Sequence, residues 1–165
     1  MNKTRIAVAF TGPSNSGKTT LIVKIATLLQ KNYYKVAIVK HDPKDKAVFD
    51  KEGKDSYKFS QTGAEVAVVS PNKTTIFKKE TSTIDNLIDS FNNFDFLLVE
   101  GLKTLPLPRI CIQRGEINES YFHVSDTIAT DESIDRNKFP EQMNILDLNN
   151  PAQIIEWIKE NGKKV

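Results

Sequence analysis

The chain has 165 residues, a mass of 18.6 kDa and a formal net charge of +2, from 23 basic and 21 acidic side chains. This length predicts one domain over residues 1–165 with enough chain to bury a core, and the balanced charge gives no reason to expect a nucleic-acid or membrane partner. The one cysteine excludes an intrachain disulfide and a cysteine-rich zinc site. The N-terminus lacks the apolar stretch of a signal peptide. With a single cysteine, a reducing compartment is the simplest context, and we expect a cytoplasmic protein.

The first quarter of the chain predicts a strand, a helix and a second strand. The apolar run at 6–10 is typical of a strand that is buried on both faces of a parallel sheet. Residues 19–30 place their apolar side chains on one face at helical spacing, and the apolar residues 36–39 follow as a second buried strand. Together these elements predict a βαβ unit, whose crossover is expected to be right-handed.

The rest of the chain predicts a hairpin followed by further strands and helices. The polar stretch 40–56 predicts a long irregular loop, which in compact domains is usually functional or disordered. Asp55 is predicted to cap a short helix, and strands at 66–70 and 74–77 flank a turn typical of a hairpin. The remaining elements are predicted at 84–91 (helix), 94–99, 109–113, 127–130 and 145–148 (strands) and 151–161 (helix). This alternation predicts an α/β fold of three layers.

Residues 12–19 carry the clearest chemical signal, since they fit the phosphate-loop pattern G-x-x-x-x-G-K-[ST]. Glycines let the backbone wrap around a phosphate, and consecutive N–H groups at a helix N-terminus then point at it. Lys18 is expected to reach the β- and γ-phosphates as a catalytic residue, and Thr19 to place its hydroxyl on Mg²⁺. The predicted nucleotide-binding residues of this loop are Gly12, Pro13, Ser14, Asn15, Ser16, Gly17, Lys18, Thr19 and Thr20. The motif predicts a P-loop NTPase fold with a mainly parallel sheet and a β-hairpin extension.

Two acidic residues at strand ends are candidates to complete a phosphate site. An apolar run leads to Glu100, and ligand sites of open α/β sheets lie where strands end in this way. Glu100 is therefore a candidate catalytic residue, which would hold Mg²⁺ through water or orient an attacking water. Asp42 follows the second strand and is the favoured third acid for the metal. For each of them the alternative is a solvated carboxylate.

Base recognition is weakly encoded in the sequence. Asp131 follows the predicted strand 127–130 and is a candidate acceptor for a purine amino group. The segment 72–75, Asn-Lys-Thr-Thr, is similar to the guanine-recognising N-K-x-D motif, but Thr75 stands where that motif needs a carboxylate. A hairpin turn is the better interpretation of Asn72 and Lys73. The residues themselves therefore leave the choice between GTP and ATP open.

Several segments in their order resemble one family, the molybdopterin-guanine dinucleotide biosynthesis adapter protein B (MobB) family. The most specific are Gly-Lys-Asp-Ser at 53–56 and Leu-Val-Glu-Gly-Leu-Lys at 98–103, together with the phosphate loop and Pro-Arg-Ile at 108–110. The resemblance extends over nearly the whole chain. It departs from the family after His41, where Asp-Pro-Lys replaces further histidines, and at Glu52, which replaces a proline.

The resemblance implies a GTP-binding protein that uses Mg²⁺, has weak GTPase activity and assists a MobA-type guanylyltransferase that attaches GMP to molybdopterin. It also implies a homodimer and a molybdopterin-type ligand. A P-loop small-molecule kinase or another NTPase remains the alternative. Kinases usually carry an arginine-rich lid, and the arginines of this chain, Arg5, Arg109, Arg114 and Arg136, form no such cluster in the sequence. We therefore expect no arginine finger and hydrolysis on the order of 10⁻³ s⁻¹.

Overall fold

The structure is a computed structural model that describes residues 4–91 and 93–165. Its strands are β1 (Ile6–Thr11), β2 (Val36–Lys40), β3 (Val66–Val69), β4 (Thr74–Phe77), β5 (Phe96–Glu100), β6 (Arg109–Gln113), β7 (Thr127–Thr130), β8 (Asn144–Asp147) and β9 (Lys163–Lys164). Its helices are α1 (Lys18–Lys31), α2 (Asp55–Gln61), α3 (Ile84–Ser90) and α4 (Pro151–Asn161), with short 3₁₀ helices at Glu119–Val124 and Arg136–Lys138. The order of elements predicted from the sequence is confirmed.

The described residues form two compact units. The first unit takes the residues up to His41 and those from Asn93 onward, and the second takes those between them. The phosphate loop and Glu100 belong to the first unit. Asp42 belongs to the second.

The first unit is built on a sheet of seven strands, in the order β2-β5-β1-β6-β7-β8 with β9 antiparallel to β1. The other pairings are parallel, and β1 lies between β5 and β6. Phe10 is opposite Glu100, and Thr11 is opposite Cys111. Because parallel strands end at one edge, the chain leaves β1, β5 and β6 at neighbouring points. This mainly parallel sheet confirms the predicted fold class.

The core explains why the strands are continuous apolar runs. Every side chain from Ala7 to Phe10 is fully buried, and alternate residues face opposite sides of the sheet. On one side Val8 and Phe10 join the large cluster that includes the apolar faces of α1 and α4. On the other side Cys111 packs in a smaller cluster with Ile128. Both faces of the central strands are therefore covered.

The helix ends follow local side-chain chemistry. Asn150 caps α4 by accepting a hydrogen bond from the Gln153 N–H at 3.1 Å, and Pro151 occupies the first helical turn, as the sequence predicts. The predicted cap at Asp55 is wrong. Lys54 precedes the helix, and Asp55 lies in its first turn, where a carboxylate is stabilised by the helix dipole rather than by a cap hydrogen bond.

The second unit contains α2, α3 and the antiparallel hairpin β3–β4. Val66 is opposite Phe77, and the Ser70 N–H donates to the Lys73 carbonyl at 2.9 Å across the turn. The hairpin is therefore confirmed, and Lys73 lies in its turn. Among the described residues, no helix is both long and apolar enough to cross a lipid bilayer.

Burial predicts which side of α1 stabilises the first unit. We expect Ile25→Ala to lower the free energy of unfolding by about 2–5 kcal/mol, because Ile25 is fully buried and its truncation leaves a cavity. Val23→Ala in the same helix is the matched control. Val23 is 55% exposed, and its truncation should change the free energy of unfolding by about 0.5 kcal/mol or less. Urea denaturation followed by circular dichroism measures both, and equal losses would contradict the packing described here.

Candidate functional site

The phosphate loop joins β1 to α1, and its course depends on a close backbone contact. Gly12 has a φ of 139°, and a Cβ built on it would lie 2.3 Å from the carbonyl oxygen of Ile112 in β6. Only glycine fits that position. Asn15 and Gly17 are also left-handed, at φ values of 62° and 98°, so the loop curves back before α1 begins at Lys18.

A cleft of about 500 Å³ opens beside this loop. It is lined by Ser14, Asn15, Gly17, Lys18, Thr19, Thr20, Glu100 and Arg114. The structure thus brings most of the predicted loop residues together with Glu100. Of the other predicted loop residues, Gly12 and Ser16 are buried and Pro13 is half-buried. The lining offers cationic and hydroxyl donors beside one carboxylate, a set that suits phosphate oxygens and a divalent cation.

Lys18 lies across the loop rather than extending into solvent. Its Nζ donates to the carbonyl oxygens of Gly12 at 3.0 Å and Pro13 at 2.6 Å. Burial lowers the pKa of Lys18, and the charge of Glu100 opposes that shift. The ammonium is therefore held close to the loop backbone, where it can also approach a bound phosphate.

Ser16 provides an independent sign that the loop fits a polar ligand. Its Oγ is buried and has no hydrogen-bond partner among the described residues. An unpartnered buried hydroxyl costs roughly 1–3 kcal/mol. An oxygen-rich ligand such as phosphate would supply the acceptor that this hydroxyl lacks.

Glu100 ends β5 and is half-buried in the cleft wall. Its carbonyl accepts from the His41 N–H at 3.0 Å, and the next N–H, that of Gly101, donates to Phe10 of β1 at 3.0 Å. Gly101 has a φ of 88°, and a Cβ there would lie 2.9 Å from the Cβ of His41. The turn after Glu100 therefore needs glycine both for its backbone conformation and for space.

Arg109 holds that turn from inside the protein. Its side chain is fully buried, and its guanidinium donates to the carbonyls of Gly101 at 2.8 Å, Leu102 at 2.9 Å and Leu105 at 3.3 Å. Burial lowers the pKa of Arg109, while the nearby charge of Asp126 opposes the shift. Arginine remains charged in proteins, so a buried cation fixes the segment that follows Glu100. From the sequence, Arg109 has no functional role beyond its place in a family segment.

Arg114 is a cleft residue that the sequence analysis missed. It follows β6 immediately, and its Nε lies 2.9 Å from Oδ2 of Asp131, which follows β7. Arg114 thus lines the phosphate-loop cleft, while the expectation that no arginine acts as a finger stays a prediction. The signal was present, because Arg114 occupies the same kind of strand-end position that pointed to Glu100.

Asp131 is held on both of its oxygens. Oδ2 faces Arg114, while Oδ1 accepts from the Ser133 N–H at 3.0 Å and from the Ser133 hydroxyl. The hydrogen bond from the Ser133 side chain lowers the pKa of Asp131, and Arg114 adds to the shift. A second, smaller cavity of about 130 Å³ lies here, lined by Gly17, Thr20, Leu21, Lys24, Arg114, Asp131, Leu148 and Asn149. Its role in base recognition stays a prediction.

Asp42 organises the loop at the start of the second unit. Its carboxylate accepts from the N–H groups of Lys44 at 3.4 Å, Lys46 at 2.7 Å and Ala47 at 2.6 Å. These bonds give Asp42 a structural task within its own loop. Its assignment as a metal ligand stays a prediction.

Most of the chain matches one known protein family. A family model described as molybdopterin guanine dinucleotide synthesis protein B, MobB, matches residues 7–131. The chain belongs to the MobB family. The matched residues include the phosphate loop, Glu100, Arg114 and Asp131, so the resemblance stated from the sequence is confirmed.

Individual MobB relatives match over nearly the full length. The molybdopterin-guanine dinucleotide biosynthesis adapter protein of Haemophilus influenzae is 29% identical, over 96% of this chain and 90% of the relative. The protein of the same name from Escherichia coli K12 is 30% identical, over 94% of this chain and 95% of the relative. The crystal structure of Bacillus subtilis MobB has a TM-score of 0.75 at 23% identity, covering 96% of this chain and 98% of that one. This last similarity confirms the fold.

The lowered pKa of Asp131 predicts an acid-dependent contribution to stability. Since the pKa is lowered on folding from 3.8, the contribution is present above pH 3.8 and is lost as the pH falls through the lower folded value. We expect Asp131→Asn to be less stable than wild type at pH 7 and the difference to shrink below about pH 4. Glu132→Gln is the exposed control. Denaturant titrations from pH 3 to pH 7 measure this, and a difference that does not change with pH would contradict it.

Proposed function

We propose that this protein binds GTP with Mg²⁺ at the phosphate-loop cleft, hydrolyses it slowly, and acts as an accessory protein in molybdenum cofactor biosynthesis in the cytoplasm. The observation that carries the proposal is the meeting of Lys18, Thr19 and Glu100 in one cleft beside a phosphate loop. Membership of the MobB family supports the pathway. The names of the relatives, which describe adapter proteins of molybdopterin-guanine dinucleotide biosynthesis, support an accessory role.

Each cleft residue has a distinct task in this proposal. The N–H groups of the loop and the Lys18 ammonium bind phosphate oxygens, and the unpartnered hydroxyl of Ser16 donates to one of them. Thr19 and Glu100 are the residues that would hold Mg²⁺, Glu100 directly or through water. Bound Mg²⁺ neutralises charge on the phosphates. Glu100 also orients the attacking water, and Arg109 keeps the turn behind Glu100 in place.

The proposed partners follow the family. We infer a MobA-type guanylyltransferase as the enzyme that is assisted, and a molybdopterin-type compound as a possible second ligand. We also infer a homodimer. The hairpin β3–β4 supports self-association, because it leaves the apolar side chains of Val68, Val69 and Ile76 exposed.

Lys18 tests whether the cleft is a nucleotide site at all. Isothermal titration of wild type with GTP, ATP and a molybdopterin nucleotide in the presence of Mg²⁺ should show binding of GTP in preference to ATP. Lys18→Ala should weaken triphosphate binding about 100-fold or more, because it removes a charge-assisted phosphate contact, and the variant should still fold. Lys31→Ala at the far end of α1 is the matched control. Normal GTP affinity in Lys18→Ala would refute the site.

Glu100 tests whether the site hydrolyses what it binds. Glu100→Gln keeps the size of the side chain and removes its charge. We expect GTP affinity within about tenfold of wild type, roughly 1.4 kcal/mol, and a larger fall in hydrolysis from a starting rate on the order of 10⁻³ s⁻¹. Phosphate release under single-turnover conditions measures the rate, with Glu132→Gln as control. Equal losses in binding and hydrolysis would make Glu100 a ground-state ligand, and no loss would make it a solvated strand end.

A further inference from the structure

Arg114 and Asp131 form an ion pair at the edge of the phosphate cleft. The proposed function does not use this pair. Arg114 is 59% exposed and Asp131 only 6% exposed, so a buried anion holds a cation that is open to solvent. Arg114 lines the large cleft and the small cavity, and shares both with Gly17 and Thr20. The guanidinium therefore lies where the two spaces meet, beside the first turn of α1.

Both ends of the pair are fixed by one serine. The Ser133 hydroxyl donates to Oδ1 of Asp131, and the Ser133 Oγ itself accepts from the Gly115 N–H at 2.7 Å. Ser133 thus ties the backbone next to Arg114 to the carboxylate that holds its side chain. The contact through Nε uses one of the five N–H donors of an arginine. The geometry therefore orients Arg114 while leaving donors for a ligand.

We propose that Arg114 binds a phosphate of the nucleotide on the Thr20 side of the loop, and that Asp131 is a positioning residue for Arg114 rather than a base-recognising residue. This inference rests on the proposed function, because it requires a nucleotide in the cleft. A cation held in advance in its binding geometry loses less conformational entropy when the ligand arrives. Planar arginine is also the side chain best suited to phosphate oxygens.

The surroundings of Asp131 favour positioning over base recognition. A carboxylate that recognises a base must present an oxygen to the ligand, but Asp131 is nearly fully buried and both of its oxygens already accept hydrogen bonds. Oδ2 contacts Arg114 directly, and Oδ1 is joined through the Ser133 hydroxyl to the Gly115 N–H beside Arg114. The small cavity nevertheless touches Asp131, so the test must separate the two roles.

The position of Arg114 also predicts which phosphate it meets. Lys18 is the residue that reaches the β- and γ-phosphates of a P-loop ligand, while the loop backbone holds the α- and β-phosphates. Arg114 is grouped with Gly17 and Thr20 at the small cavity, which Lys18 does not line. We therefore place Arg114 at the α- and β-phosphates. Since GDP and GTP share these groups, Arg114 should contribute equally to binding both.

Arg114→Gln tests the phosphate contact. Titration with GDP and GTP should show affinities weakened by similar factors of about 10–100, with the hydrolysis rate at saturating GTP within about twofold of wild type. Arg136→Gln, a change to another exposed arginine, is the matched control and should change neither. Unchanged affinities for both nucleotides would overturn the inference. A loss confined to GTP or to the rate at saturation would overturn it as well, because it would make Arg114 a transition-state group.

Asp131→Asn tests the positioning role. It should weaken GTP binding in the wild-type background and add nothing in the Arg114→Gln background, as expected for residues that act through one contact. XTP carries a carbonyl where GTP carries the amino group of guanine. If Asp131 recognised the base, Asp131→Asn would therefore raise the affinity for XTP relative to the affinity for GTP. A rise in relative XTP affinity would overturn the positioning role. So would losses of GTP affinity that add up when Asp131→Asn and Arg114→Gln are combined. If Asp131→Asn unfolds, Ser133→Ala takes its place in the same double-mutant comparison, because it removes the hydroxyl that joins Asp131 to the backbone beside Arg114.

The outcome for wild type separates this inference from the proposed function. Wild-type protein that binds neither GDP nor GTP would overturn both. Wild-type binding together with an unaffected Arg114→Gln variant would overturn the inference alone.

Discussion

The position of β1 between two parallel strands is the constraint on which the candidate site depends. Phe10 is opposite Glu100, and Thr11 is opposite Cys111, so the phosphate loop, Glu100 and the chain leading to Arg114 leave the sheet at one edge. A shift of one residue in β1 would exchange the large side chains Val8 and Phe10 with the small Ala7 and Ala9 between the two packed faces of the sheet. The packing of the core therefore fixes the relative positions of groups that make no direct contact with each other.

Groups outside the cleft hold the cleft residues in place. Gly12 allows the loop to pass the carbonyl of Ile112, and the buried guanidinium of Arg109 binds the turn after Glu100. Burying a cation costs free energy that hydrogen bonds offset, and here three carbonyls accept from the guanidinium. Local backbone strain and buried charge thus occur together behind the site, where each restricts the conformations open to Glu100.

Much of this arrangement could be predicted from sequence because the central strands are buried on both faces and appear as uninterrupted apolar runs. The phosphate loop and Glu100 were found by a motif and by a strand-end rule. Arg114 was not found, because an exposed arginine after a strand has the same sequence pattern as a solvated surface charge. Its partner Asp131 follows a different strand, so their contact is not visible in the local sequence. The strand β9 and the 3₁₀ helices lack apolar periodicity, so the local sequence does not predict them. Asp55 was misplaced by one residue because caps depend on backbone angles.

The hairpin β3–β4 also has a consequence for the behaviour of the protein in solution. Among the described residues its outer edges pair with no further strand, and free edges that carry Val69 and Ile76 are templates for aggregation. Exposed lysines at 73, 78 and 79 flank these strands and act as gatekeepers through charge repulsion. That repulsion is screened over about 10 Å at 0.1 M salt. Raising the ionic strength should therefore reduce the colloidal stability of concentrated protein, even where the fold itself is unaffected.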